Sequence, residues 1–257
     1  MTARHPQPLV LTPLLGIPLV ERGDDLAALI LEAAERSGVL WRDGDVVVVA
    51  QKIVSRAEGR MVDLNAVSPS PKARELAALT QKDPRLVELI LRESAEVLRA
   101  VPGVLIVEHK RGFVCANAGI DHSNACGSED CVLLLPENPD ESAARLRSRL
   151  EAATGRRLGV IINDSHGRAW RLGTMGVAIG VSGVPALVDL RGRYDLLGRE
   201  LRITQIGAAD ELAAAASLVM GQADEAIPAV HVRGFPYPLR ESSFRELIRP
   251  REKDLFR

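Results

Sequence analysis

Four consecutive valines, Val46 to Val49, lie between Asp45 and Ala50. An uninterrupted β-branched run of this kind is the signature of a strand covered on both faces, so the chain has to build a sheet with packing layers on either side of it. Further strands are expected at residues 9–14, 104–107, 112–116, 131–135, 160–163, 173–183, 186–190 and 200–204, with the second and third joined as a hairpin. Helical spacing marks residues 24–37, with Asp24 as N-cap and Leu26, Leu29, Ile30 and Ala33 on the inner face. The polar-rich segment 51–60 is expected to be helical and to face a site. Ser70-Pro71 and Asp83-Pro84 open two more helices, each with proline in the first turn, and Leu86, Leu89, Ile90 and Val97 mark the buried side of the second. A helix from Asn138 ends at Gly155, and an alanine-rich one runs over residues 210–220. Strands outnumber regular βαβ alternations. The expected class is therefore α+β, with mixed, largely antiparallel sheets, flanking helices and two intimately joined lobes. Residues 1–257 read as one domain, with 234–257 as a C-terminal arm.

The 33 basic and 34 acidic residues leave a net charge of −1, which gives no whole-chain field for nucleic acid or an anionic membrane. Any anion site must be local. The short apolar stretch near the N-terminus is broken by Pro13 and Pro18 and is too short to be a membrane span, so the chain is expected in the cytoplasm. Three cysteines, Cys115, Cys126 and Cys131, argue against a disulfide framework. With His122 they could be read as a zinc site, but paired C-x-x-C knuckles are absent and small buried thiols are common in cores.

The chemistry concentrates in two segments. Val160-Ile-Ile-Asn-Asp164-Ser165-His166-Gly-Arg168 delivers an Asp-Ser pair, a histidine and an arginine to the polar end of an apolar run. Val114-Cys-Ala-Asn-Ala-Gly-Ile-Asp121-His122-Ser-Asn124 brings a second aspartate into a glycine-containing loop. Carboxylate and hydroxyl oxygens at such mouths suit a hard cation. Singly, each is better read as a loop aspartate capping a turn; the combination is more telling than either alone. Lys52, Arg56, Arg60, Arg168 and Arg171 offer local positive charge, and His122 and His166 stand beside the two aspartates. The P-loop and dinucleotide glycine fingerprints are both missing, so a nucleotide would need another loop system. The glycines spaced through 173–183 fit either close ligand approach or a tightly packed sheet. On these residues alone a metal-dependent phosphohydrolase remains an open alternative.

Taken in order, Leu15-Gly-Ile-Pro18-Leu, the segment from Val46 to Arg60, Ala116-Asn-Ala-Gly-Ile-Asp-His-Ser-Asn124, Asn163-Asp-Ser-His-Gly-Arg168 with Trp170 to Gly180, and Met220-Gly-Gln-Ala-Asp-Glu-Ala-Ile-Pro228 resemble the coenzyme F420-0:γ-glutamyl ligase family over about residues 9–232. The resemblance implies a GTP-dependent ligase that joins L-glutamate to the lactyl carboxylate of coenzyme F420-0 and can extend the γ-linked tail. It implies two divalent cations, Mg²⁺ or Mn²⁺, with K⁺ as a further cation, and a homodimer. It implies that Ile17, Pro18, Leu19, Val20, Gln51, Arg56, Asn124 and the run Met220, Gly221, Gln222, Ala223, Asp224, Glu225, Ala226 and Ile227 contact the nucleotide. Asp121, Asp164, Ser165 and Gln222 would hold the metals, with Asp121 and Asp164 central to catalysis. Gln51 stands where a small hydroxyl residue is usual in the family, and Arg56 where lysine is usual. A non-catalytic deazaflavin-binding protein is the second alternative.

Overall fold

The computed structural model describes residues 7–121 and 130–255. His122, Ser123, Asn124 and Cys126 lie outside the described residues. In chain order the elements are β1 (Val10–Pro13), α1 (Leu26–Arg36), β2 (Val46–Ala50), α2 (Gln51–Ala57), β3 (Met61–Asp63), α3 (Pro71–Thr80), α4 (Pro84–Glu93), β4 (Ser94–Val101) and β5 (Val104–His109). They continue with β6 (Val114–Ala116), β7 (Cys131–Leu133), α5 (Pro139–Thr154), β8 (Gly159–Arg168), β9 (Arg171–Ser182), β10 (Val188–Asp189), β11 (Gln205–Ile206), α6 (Ala208–Met220) and β12 (Ala229–Arg233). The architecture is α+β with sheets that are mostly antiparallel, as expected.

The largest sheet has the order β1-β12-β2-β8-β9. Its one parallel pair is β2 with β8, from Val46 opposite Gly159 to Ala50 opposite Asn163. Val46 to Val49 are all fully buried, so both faces of β2 are covered, as the valine run requires. The registers bring four chain segments to one end of this sheet. The C-terminal Pro13 of β1 pairs with Val230, the N-terminal Ala229 of β12 with Val49, and the last residue of β2 with Asn163. The loops after β1 and before β12, the start of α2 and the continuation of β8 all meet there.

Gly176 and Gly180 of β9 serve packing. A Cβ on Gly176 would lie 2.5 Å from the Ala213 carbonyl oxygen of α6, and one on Gly180 would lie 2.5 Å from backbone of Pro139 in α5. At the opposite end of the sheet Asp45 is almost wholly buried. It accepts from Arg233 Nε at 3.0 Å and Nη2 at 2.7 Å and from the Arg42 amide at 2.9 Å, with His231 Nε2 at 2.9 Å. These donors hold its carboxyl near 2 against the desolvation that opposes them.

A second buried cluster gathers Ala77 of α3, Val87 and Ile90 of α4, Leu105 and Val107 of the three-stranded sheet β4-β5-β6, Val132 of the two-stranded β3-β7, and Leu64 from the turn after β3. The strand β6 and the turn after it join the two cores: Phe113 and Cys115 belong to the large cluster, Ala118 and Ile120 to the small one.

Several expectations are corrected. The N-cap of α1 is Asp25, which accepts from the Ala27 and Ala28 amides, while Asp24 closes the preceding turn through the Glu21 amide. Val97 does not continue α4. That helix stops at Glu93 and Val97 lies in β4, which forms a bulged antiparallel pair with β5. Residues 200–204 are not a strand; the short ladder is Val188–Asp189 with Gln205–Ile206. Cys131 is disulfide-bonded, whereas Cys115 is free and buried. The arm is docked: Phe244 is buried in the large core, and Ser242 donates to the Val184 carbonyl. Among the described residues no helix is long and apolar enough to cross a membrane.

Candidate active site

Asp164 does not sit in a loop. It lies within β8, opposite Val177 of β9, because the β8–β9 ribbon runs on past Ala50, where β2 has already turned into α2. Freed from a neighbour on that side, the β8 edge presents polar side chains. Asp121 arrives from the small core, where two backbone hydrogen bonds to Leu133, 3.0 and 2.9 Å long, fix it against β7. Both line one cavity of about 460 Å³, a volume typical of small-ligand sites.

The wall of that cavity includes Ile17, Pro18, Leu19 and Val20 from the loop after β1, Gln51 and Arg56 from α2, Ser165 from β8, and Met220 to Ala223 and Glu225 to Ile227 from the segment before β12. Sequence reasoning singled out all of these. Asp224 is the exception: it is exposed and does not line the cavity, since the turn closes through its neighbour Glu225, which accepts from the Ala223 amide at 2.8 Å. Gly221, at φ +74°, is required here because a Cβ would meet the Glu225 carboxylate. Arg56 Nε donates to the Val20 carbonyl at 2.6 Å, and Arg36 Nη2 to that of Gly16 at 2.9 Å, so two arginines pin the loop after β1.

Around the carboxylates, Gln51 Nε2 donates to Asp121 Oδ2 at 2.6 Å and Lys52 Nζ lies 3.8 Å from the same oxygen. Burial lifts the Asp121 carboxyl to about 6; the Lys52 ammonium opposes the rise and the Asp164 charge adds to it. Asp164 Oδ1 accepts from the Ser165 amide at 2.8 Å, and His166 Nε2 is 2.9 Å from Oδ2. Ser165 Oγ donates to Gln222 Oε1 at 3.0 Å, and Gln222 Nε2 to Ser217 Oγ at 3.1 Å. Arg168 and Arg171 lie outside the cavity wall, at the exposed turn of the β8–β9 ribbon. Sequence reasoning did not single out Asn163, Ala50, Ile53, Leu133 and Pro228, which also line the cavity. Asn163 had a signal, as the residue before Asp164.

The donor set of Asp121, Asp164, Ser165 and Gln222 is all oxygen, the chemistry of a hard divalent cation. Among the described residues no group of three or more His, Cys, Asp or Glu could hold a metal ion; His122 and Cys126 of the zinc alternative lie outside the described residues. Burial and the nearby Asp164 charge both raise the Asp121 carboxyl, which fits a cation that would neutralise charge there.

A profile of the F420-0:Gamma-glutamyl ligase family matches residues 15–234. The chain belongs to that family. Coenzyme F420:L-glutamate ligase of Methanothermobacter thermautotrophicus is 50% identical over 244 residues, 94% of this chain and 96% of the relative. The enzyme of the same name from Methanopyrus kandleri is 50% identical over 242 residues, 93% of each chain, and that of Halobacterium salinarum 43% over 248 residues, 94% and 93%. In this member of the F420-0:Gamma-glutamyl ligase family the matched span includes both aspartates and every cavity segment described above.

Proposed function

We propose that this chain is a GTP-dependent ligase that joins L-glutamate to the lactyl carboxylate of coenzyme F420-0 and then adds further γ-linked glutamates, working in the cytoplasm as a homodimer. One observation carries this reading: two carboxylates anchored in different cores line a single cavity, beside a hydroxyl and an amide oxygen. The relatives' shared name supports coenzyme F420 and L-glutamate as substrates; GTP is the part that the family resemblance adds.

A carboxylate is a poor electrophile. In the proposed reaction one of its oxygens attacks the γ-phosphorus of GTP, the bond to the β–γ bridging oxygen breaks, and GDP leaves. The glutamate amine then attacks the acyl carbon, loses a proton and expels phosphate. Asp121, Asp164, Ser165 and Gln222 would hold two divalent cations, Mg²⁺ or Mn²⁺, with K⁺ as a further cation. Bound there, such ions supply charge neutralisation at phosphate oxygens. The chain's own groups orient: Lys52 places an ammonium beside Asp121, and the loops pinned by Arg56, Arg36 and Gly221 flank the nucleotide. Leu172, Leu196 and Ile203 stand almost fully exposed, which supports a second copy covering them.

The test is to incubate the chain with precursor, GTP, Mn²⁺ and glutamate and weigh the product. A mass increase of one or more glutamyl residues is expected, and the Asp164→Asn variant should give none while keeping its circular dichroism spectrum. GTP hydrolysis with unchanged precursor would indicate a phosphohydrolase, and binding with neither change a carrier.

A further inference from the structure

The α2 helix does more than lend one face to the cavity. Gln51 is almost wholly buried and Ser55, one turn later, is fully buried. Ser55 Oγ donates to Gln51 Oε1 at 2.9 Å, and Gln51 Nε2 donates to Asp121 Oδ2 at 2.6 Å. An ionised carboxylate only accepts, so the NH₂ end of the amide must face Asp121, and the leftover carbonyl oxygen needs a donor that the Ser55 hydroxyl provides. Lys52 addresses the same Oδ2, and among the described residues no hydrogen bond reaches Oδ1.

We propose that Gln51 is the positioning residue of Asp121: locked by Ser55, it ties down Oδ2, fixes the carboxylate plane, and leaves Oδ1 as the oxygen that meets a divalent cation. The resemblance assigned Gln51 to the nucleotide; its geometry assigns it to the carboxylate. The proposal rests on Asp121 holding a cation. It adds that the affinity for this ion is set from α2, through a two-step relay that no cation ligand shares. Outer partners that orient ligating carboxylates are worth roughly 10- to 100-fold in metal affinity.

The experiment titrates the full chain with Mn²⁺ alone, followed by electron paramagnetic resonance, and separately measures the KM for GTP at saturating Mn²⁺. Gln51→Met, which keeps the length and removes donor and acceptor, should weaken Mn²⁺ binding about tenfold and leave the KM for GTP within about twofold. Ser55→Ala, a change small enough to fold, should weaken Mn²⁺ roughly threefold, and the double variant should be no weaker than Gln51→Met. A relay gives that non-additivity; two independent packing defects do not. Unchanged Mn²⁺ affinity in Gln51→Met with a raised KM for GTP would overturn the proposal and return Gln51 to the nucleotide. Asp121→Asn separates the two levels: if it binds Mn²⁺ as tightly as the parent, the cation role of Asp121 fails, and with it the premise of the relay.

Discussion

The two buried cores differ in what they give the site. The large one is a sheet whose registers converge several segments on one end, so Gln51, Asp164, Ser165 and the loops at 17–20 and 220–228 are placed by a single frame. The small one gives Asp121, held by backbone bonds to Leu133. A frame alone makes half a site. What completes it is the seam at β6, where neighbouring residues of one segment are buried in different cores, so the spacing of the two carboxylates depends on that seam staying closed.

The strongest way to break this contrast is at the far end of the frame. Asp45→Ala leaves Arg233 and His231 without their partner, and losing one member of a buried ion pair costs about 3–5 kcal/mol. Urea unfolding should show that loss as one transition for the whole chain. A loss under about 1 kcal/mol would mean that the large sheet is not the frame.

The seam is tested by acid. His109 is buried at the end of β5, its ring stacked on Phe113 at 4.7 Å. Its Nε2 lies 3.9 Å from Glu93, too far for a hydrogen bond. Desolvation, with the charges of Arg111, Lys110 and Arg60 adding, pushes its pKa down from 6.5 to about 4. A depressed histidine stabilises the fold fully above 6.5, and this contribution is lost as pH falls towards 4, because the unfolded chain takes up the proton first. The loss is on the order of 3 kcal/mol. Denaturation midpoints should therefore drop between pH 6.5 and 4, and His109→Gln should flatten that slope; an equal slope in the variant would remove His109 from the account. Within the small core a milder change sharpens the picture. Ser70 caps α3 by accepting from the Ala73 amide, and Ser70→Ala should lower stability by about 1 kcal/mol while leaving the KM for GTP unchanged.

The frame was far more legible in the sequence than the small core. Valine and isoleucine runs announce buried strands, and Ser-Pro and Asp-Pro pairs announce helix starts, all of which the structure bears out. β4 was hidden, because Glu96, Leu98, Arg99 and Ala100 are good helix formers and the strand exists only through its bulged pairing with β5. Asp164 looked like a loop residue because polar side chains end an apolar run; pairing with β9 carries the strand on. The convergence of Asp121 and Asp164 was not legible in spacing, since 42 residues of chain lie between them; the matching chemistry of the two acidic segments suggested it and the family resemblance pointed to it. The hold of Gln51 on Asp121 left no sequence signal.

The most direct test of the central claim is a double-mutant cycle on ligation rate with Asp121→Asn, Asp164→Asn and the pair. If the two carboxylates act on one ligand, each single change should cost on the order of a thousandfold and the pair no more than either alone, as for residues that work as a unit. Losses that multiply in the double variant would mean that the two acids serve separate sites.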